Sequence, residues 1–108
     1  MSVHEAHSHA DRAKKYADMA RRFAALARQQ AYDFLEDNEF LLHEDTQKVD
    51  DMKEMARRMG TYSVRADQAA LVARHAAHKH DVPAAQQASV EAYSWYRECS
   101  LHIDPTDD

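Results

Sequence analysis

Apolar and small residues recur every three or four positions along most of the chain, which is the spacing of one face of an α-helix. In the first third, the repeating positions are Ala13, Tyr16, Ala17, Ala20, Phe23, Ala24, Ala27, Ala31 and Phe34. They predict a first helix that has Ser8 as its N-cap and ends near Asp37 or Asn38.

A second helix is predicted up to Gly60. Its apolar positions are Leu41, Leu42, Val49, Met52, Ala56 and Met59. They favour a start near Asn38 over a start at Thr46, so the boundary between the first two helices lies near 37–38 or 44–46. Gly60 follows Arg57 and Arg58, which suit the negative end of a helix dipole, and glycine is the usual residue just past a helix C-terminus.

The rest of the chain predicts two more helices. The third begins at Ser63 and is interrupted by Asp81 and Pro83, and the fourth opens at Pro83 and closes at Pro105. The face of the fourth carries Ala85, Ala88, Ala92, Trp95, Tyr96, Cys99 and Ile103. Short connections make neighbouring helices antiparallel. The expectation is an all-α, up-down-up-down four-helix bundle in one domain, 1–108, with 1–8 and 104–108 frayed.

The amino-acid composition supports an all-α fold and excludes several classes of protein. One glycine and ten β-branched residues leave little for hairpins and sheets, and they exclude the glycine-rich nucleotide-binding loops. The 20 alanines imply a thin core, which favours a homo-oligomer. The chain shows no signal peptide and no membrane span, and its lone Cys99 fits a reducing compartment, so a cytoplasmic location is expected.

Histidine is the unusual residue, with eight copies. The net charge is −5 with neutral histidine and becomes +3 when all eight are protonated. Two segments read His-x-x-His-x-His, and antiparallel topology predicts that they lie at opposite bundle ends. Imidazoles bind copper, zinc and nickel. One end site is predicted from His43, His75, His78 and His80, and a secondary site from His4, His7, His9, Cys99 and His102.

Each of these groups also has an explanation without metal. Charged histidines near a helix C-terminus are favoured by the dipole, which accounts for the second segment. The first segment, with His4, His7 and His9, can simply be solvated. Cys99 can be a small residue buried in the core. If Met1 is removed, the terminus Ser2-Val3-His4 resembles the amino-terminal Cu(II) and Ni(II) motif.

The sequence lacks the residue patterns that several catalytic activities require. No histidine has Glu three positions before it, and His-Glu-x-x-His is absent, so di-iron and zincin chemistry are excluded. Cys99 and His102 lack a third orienting group, so no enzyme activity and no organic cofactor are expected. The first helix carries a basic stripe, which is interpreted as a solvated helix face because the chain as a whole is acidic. A complementary acidic run follows it and favours charge pairing within or between chains, so no nucleic-acid partner is expected.

The stretch from Met59-Gly60 through Ala76-Ala77-His78-Lys79-His80-Asp81 to Tyr96-Arg97-Glu98-Cys99 resembles the second half of the cysteine-rich four-helix-bundle copper-storage proteins. The resemblance covers roughly the last 50 residues and implies the same bundle. In that family, inward cysteines hold Cu(I), but here only Cys99 matches one of them. Multi-copper storage inside the bundle is therefore not implied.

Two hypotheses follow from the sequence. In the first, a small cytoplasmic bundle binds copper, zinc or nickel through histidines at its ends, without catalysis. In the second, the chain is a metal-free oligomeric interaction module, with itself as partner and with pH-sensitive surface histidines.

Overall fold

The computed structural model describes residues 2–37 and 43–101, and over these ranges it contains three helices. They are α1 (Ser2–Asp37), α2 (His43–His78) and α3 (Val82–Ser100). The all-α class is confirmed. The four-helix bundle is wrong, because the predicted second and third helices form one continuous α2.

Gly60 does not end a helix but lies in the middle of α2. No described glycine has a positive φ, so the left-handed cap expected there is not formed. Met59 and Ser63 are buried on either side of it, and the Ser63 hydroxyl donates a hydrogen bond to the Gly60 carbonyl at 2.8 Å. A glycine inside a helix costs about 1 kcal/mol relative to alanine, and the packing of these neighbours outweighs that cost.

The core is a seam of alanines. On α1 the buried alanines alternate four and three residues apart, which is a heptad pattern: Ala6, Ala10, Ala13, Ala17, Ala20, Ala24, Ala27 and Ala31. Apart from alanine, the buried hydrophobic residues of the described part are Val49, Met59 and Cys99. Because an alanine side chain ends at Cβ, the helices approach one another closely along this seam.

The two long helices form an antiparallel hairpin, and α3 packs against one face of it. Aromatic rings fill this contact: Tyr96 stacks on Tyr16 (5.7 Å between ring centroids) and on Phe23 (5.9 Å). Near the end of α3, the Cys99 thiol donates to the Met59 carbonyl at 3.6 Å. With 19 residues against 36, α3 covers only part of the hairpin, and the molecule measures 60 × 23 × 16 Å.

The other predicted boundaries have mixed outcomes. α1 begins at Ser2, ahead of the predicted cap at Ser8, and ends at Asp37, one of the two positions expected. The predicted start of the second helix near Asn38 lies outside the described residues, as do Ile103 and Pro105. α3 corresponds to the predicted fourth helix, and it begins at Val82, one residue before the predicted start at Pro83.

A tight corner joins α2 to α3. The His80 N–H donates to the Ala77 carbonyl (3.0 Å), and the Asp81 N–H donates to the Ala76 carbonyl (2.9 Å). These are the two bonds of a Schellman motif, with His80 at the left-handed position (φ 58°). Asp81 then caps α3, because its carboxylate accepts from the Ala84 N–H at 3.2 Å.

Replacing His80 with glycine is expected to stabilise the protein by about 1 kcal/mol, because glycine adopts a positive φ without the steric cost of a Cβ. For a chain of this length, that raises the melting temperature by about 4 °C. Thermal unfolding followed by circular dichroism measures the effect. Lys79→Gly is the control, because its φ is not positive, and it should lower the melting temperature. A His80→Gly protein that melts below wild type would contradict the left-handed corner.

Candidate functional site

The two histidine segments lie at the same end of the molecule. The beginning of α1 runs beside the end of α2, so that the rings of His7 and His78 meet edge to face with centroids 5.9 Å apart. The sequence predicted opposite ends. That placement is wrong, because it depended on an additional helix between the two segments, and α2 spans the whole interval.

Two other predicted ligands lie far from these segments. His43 begins α2 and is separated from His78 by about 52 Å of helix, so it does not join His75, His78 and His80. Cys99 lies near the end of α3, about 25 Å of helix beyond Val82, and therefore far from the start of α1. His102 lies outside the described residues.

The other described histidines of the two segments differ in exposure. His4, His75 and His80 are exposed and His9 is half-buried. Over residues 2–37 and 43–101, no three His, Cys, Asp or Glu side chains are placed to hold one metal ion. What the structure does assemble from the predicted ligands is the His7 and His78 pair.

Cys99 has the surroundings of a core residue. Its side chain is fully buried, and burial, together with the nearby charge of Glu98, raises the pKa of the thiol to about 11. The thiolate is the form that binds metals and attacks electrophiles. At neutral pH the thiol therefore stays protonated and hydrogen-bonded to the Met59 carbonyl.

Native protein is expected to react slowly with a thiol reagent at pH 7, and rapidly once unfolded, because only unfolding exposes Cys99 and lowers its pKa to the ordinary range.

The raised pKa of Cys99 also makes the stability of the protein depend on pH, because the folded state keeps the thiol proton to higher pH than the unfolded state does. Its contribution to stability is thus complete below about pH 9 and is lost as pH rises towards 11. Denaturant titrations at pH 8 and pH 10.5, with Cys99→Ala as the control, measure this loss, and equal losses in both proteins would contradict the assignment.

Two pockets lie one after the other between α1 and α2, on the face opposite α3, and we describe them as the two halves of one groove. The rings that meet α3, Tyr16 and Tyr62, lie about half a helical turn away from the residues that form the groove. The half near the histidines is lined by His7, Ala10, Asp11, Lys14, Ala17, Asp18, Arg21, Asp67, Ala70, Leu71, Arg74 and His78. The other half is lined by Arg28, Ala31, Tyr32, Leu35, Lys53, Ala56, Arg57, Gly60, Thr61 and Val64.

The two halves of the groove differ in character. In the histidine half, charged side chains alternate, and Arg21 of α1 donates to Asp67 of α2 at 2.6 Å. We call the other half the apolar groove. Its walls and floor are mainly apolar or small, and three cations, Arg28, Lys53 and Arg57, stand around it.

Larger apolar side chains lie on the surface while alanines fill the inside. The exposed ones are Leu26, Tyr32, Val64, Leu71, Val72, Val90, Tyr93 and Leu101. The sequence did not reveal the groove, because apolar residues as large as Val64 and Leu71 are normally expected on the buried face of a helix. The signal available was the alanine heptad itself, since it already supplies α2 with a partner face and leaves these larger residues outside. No described helix contains a stretch long and apolar enough to cross a bilayer.

Among the described residues, His7 and His78 are the predicted ligands whose rings are in contact, and the groove between α1 and α2 is a feature that the sequence did not reveal. Comparison of the chain with protein-family models, curated proteins and solved structures found no match, so it bears neither on the resemblance to copper-storage proteins nor on another family.

Proposed function

We propose that this protein is an interaction module that works as a homo-oligomer. The observation that carries the proposal is the inverted distribution of apolar side chains, with alanines buried and Tyr32, Val64 and Leu71 exposed along one groove. An exposed apolar surface of this kind is typical of protein contact sites. The free thiol of Cys99 supports a cytoplasmic location for the module.

The surface area supports a partner of substantial size. The chain exposes 7677 Å², whereas a compact monomer of its mass exposes about 6,100 Å². Its radius of gyration is 17.3 Å, against roughly 13 Å for a compact domain of this length. A stable interface buries about 800 Å² on each partner, so the excess area is enough for one.

The first test is the molar mass of the full chain in solution. Sedimentation equilibrium and light scattering from about 1 to 500 μM are expected to give a mass that rises from one chain to two. The melting temperature is expected to rise with protein concentration, since association stabilises the folded state. A single-chain mass throughout, with a constant melting temperature, would overturn the proposal.

A matched pair of variants asks whether the groove is the contact. Val64 lines the apolar groove and is 54% exposed, and Val72 is 58% exposed on the same helix and lines neither half. Val64→Lys is expected to weaken association at least tenfold, because it places a charge in an apolar contact. Val72→Lys should leave the mass unchanged. Equal effects of the two substitutions would place the contact elsewhere.

A second candidate function is transition-metal binding at the histidine end. It is favoured by one contact, the edge-to-face approach of His7 and His78. Neutral imidazoles are ligands for copper, zinc and nickel. Two of them leave open positions on the ion, which suits a site for exchange or handling more than a closed structural site.

Calorimetric titration of Zn(II), Ni(II) and Cu(II) tests this second function. His78→Ala should abolish the binding event, while His75→Ala, on the same helix end, should preserve it. An N-terminal extension removes the free amine of the Ser2-Val3-His4 motif, so binding that depends on that amine is recognised separately. Binding weaker than about 0.1 mM (roughly −5.5 kcal/mol), or equal binding by both variants, would reject the site.

A further inference from the structure

We infer that the apolar groove binds a free fatty acid, with the carboxylate at Arg28 and the hydrocarbon chain along the floor of the groove. One copy of the protein forms this site, so it goes beyond the proposed self-association. Because a second copy would use the same groove, a bound fatty acid also regulates the association. That consequence rests on the proposed function, whereas the binding site itself does not.

The register of the two long helices places Arg28 opposite Gly60. One heptad earlier on α1, the guanidinium of Arg21 donates to the Asp67 carboxylate of α2 at 2.6 Å. Gly60 precedes Asp67 by the same interval, so in an antiparallel hairpin the second pair repeats the position of the first. Arg28 and Gly60 both line the apolar groove. Where Arg21 meets a carboxylate, Arg28 therefore meets a residue without a side chain.

The guanidinium of Arg28 is available to a ligand. Within residues 2–37 and 43–101 it makes no ion pair or hydrogen bond. The space at Gly60 is open, since a Cβ added there would meet nothing within 4 Å. A planar guanidinium recognises a carboxylate through two parallel hydrogen bonds. A ligand carboxylate in this space would supply the partner that Asp67 supplies to Arg21.

The other two cations of the apolar groove are placed differently. Arg57 already donates to both carboxylate oxygens of Glu54, at 2.6 and 3.0 Å. Lys53 lies at the end of the groove nearer the end of α1, and Asp50 lies one turn from it on α2. Arg28 is therefore the cation of this groove that stands apart from a carboxylate of its own chain.

Apolar side chains continue from Arg28 along the groove. On α1, Ala31, Tyr32 and Leu35 follow within two turns, about 10 Å of helix, and buried Ala56 lies on the α2 side. The described residues that line this half include neither Asp nor Glu. Its volume is about 540 Å³. Small-molecule sites have volumes of about 300–1,000 Å³, with mainly apolar walls and a few polar groups that fix the orientation of the ligand. A hydrocarbon chain that ends in a carboxylate matches both the lining and the charge.

Calorimetric titration with dodecanoate tests the site on the full chain, at a protein concentration where sedimentation shows single chains. We expect one dodecanoate per chain and a dissociation constant below about 0.1 mM. Acetate lacks the hydrocarbon chain and dodecyl maltoside lacks the charge, so each should bind at least tenfold more weakly. All three are kept below the concentrations at which micelles form. Absence of dodecanoate binding, or equal binding of dodecyl maltoside, would overturn the inference.

Two substitutions ask whether the carboxylate lies at Arg28. Arg28→Gln removes the cation and should weaken dodecanoate binding at least tenfold. Gly60→Asp provides a carboxylate from the chain itself, as Asp67 does for Arg21, and should weaken binding by a similar factor. Arg22→Gln is the control, because Arg22 is exposed on the same helix and lines neither half of the groove. Equal binding by the two glutamine variants would reject the placement at Arg28.

The outcomes separate this site from misfolding and from the proposed function. Gly60→Asp should melt no lower than wild type, because its side chain enters open space beside Arg28, and a clearly lower melting temperature would contradict their facing. A wild-type chain that stays monomeric defeats the proposed self-association, while the titration still decides on the fatty-acid site. If wild type dimerises, saturating dodecanoate should reduce its molar mass towards one chain. Binding without that reduction would overturn the regulation and leave the site.

Discussion

Ala20→Leu is expected to destabilise the protein by about 3 kcal/mol, which lowers the melting temperature by about 13 °C. Ala20 is fully buried in the seam where α1 meets the Met59 part of α2 and the end of α3. A seam built of alanines leaves no room for three more carbon atoms, so the helices must move apart and loosen the neighbouring contacts. Thermal and urea unfolding at fixed protein concentration measure the change.

The matched control is Ala25→Leu on the same helix. Ala25 is exposed, so its leucine extends into solvent and should change stability by less than about 0.5 kcal/mol. If the two leucine variants melt together, the helices are not closely apposed along α1, and the alanine seam is not the core of this protein.

The buried face of α1 and the start of α3 could be predicted from the sequence, but the length of α2 could not. The alanine repeat and the pair Asp81 and Pro83 mark local features, namely an inner face and a helix start. Gly60 carries the same kind of local signal for a stop, but the burial of Met59 and Ser63 against other helices overrides it. A preference of about 1 kcal/mol in one residue cannot be weighed against packing that depends on the folded chain.

The wrong placement of the histidines also follows from the helix end that was predicted at Gly60. Each additional helix reverses the chain direction, so a false stop at Gly60 moves every later segment to the wrong end. With α2 continuous, His78 returns to the start of α1 and meets His7, while His43 is carried to the far end. Residue types indicated which side chains bind metals, but their grouping depended entirely on the number of helices.

Met59→Ala is expected to cost about 3 kcal/mol, because Met59 is among the largest fully buried side chains of the described part. Its side chain lies in a buried cluster with alanines of α1 and with Cys99, and larger side chains, among them Phe23 and Tyr96, pack against that cluster. The alanines have no rotamers with which to fill the space that truncation leaves, so a cavity remains. Met59→Leu keeps most of the volume and should cost less than about 1.5 kcal/mol. Urea unfolding of both variants gives the two free energies.

Met19→Ala is the control, because it truncates a methionine that lies outside the buried core. Met19 is half-buried on α1 and belongs to neither buried cluster, so its truncation should cost less than about 1 kcal/mol. A Met59→Ala cost as small as that of Met19→Ala would mean that α3 does not close over the middle of α2. The hairpin would then be uncovered on both faces, and the apolar groove would lose its distinction as the face that α3 leaves free.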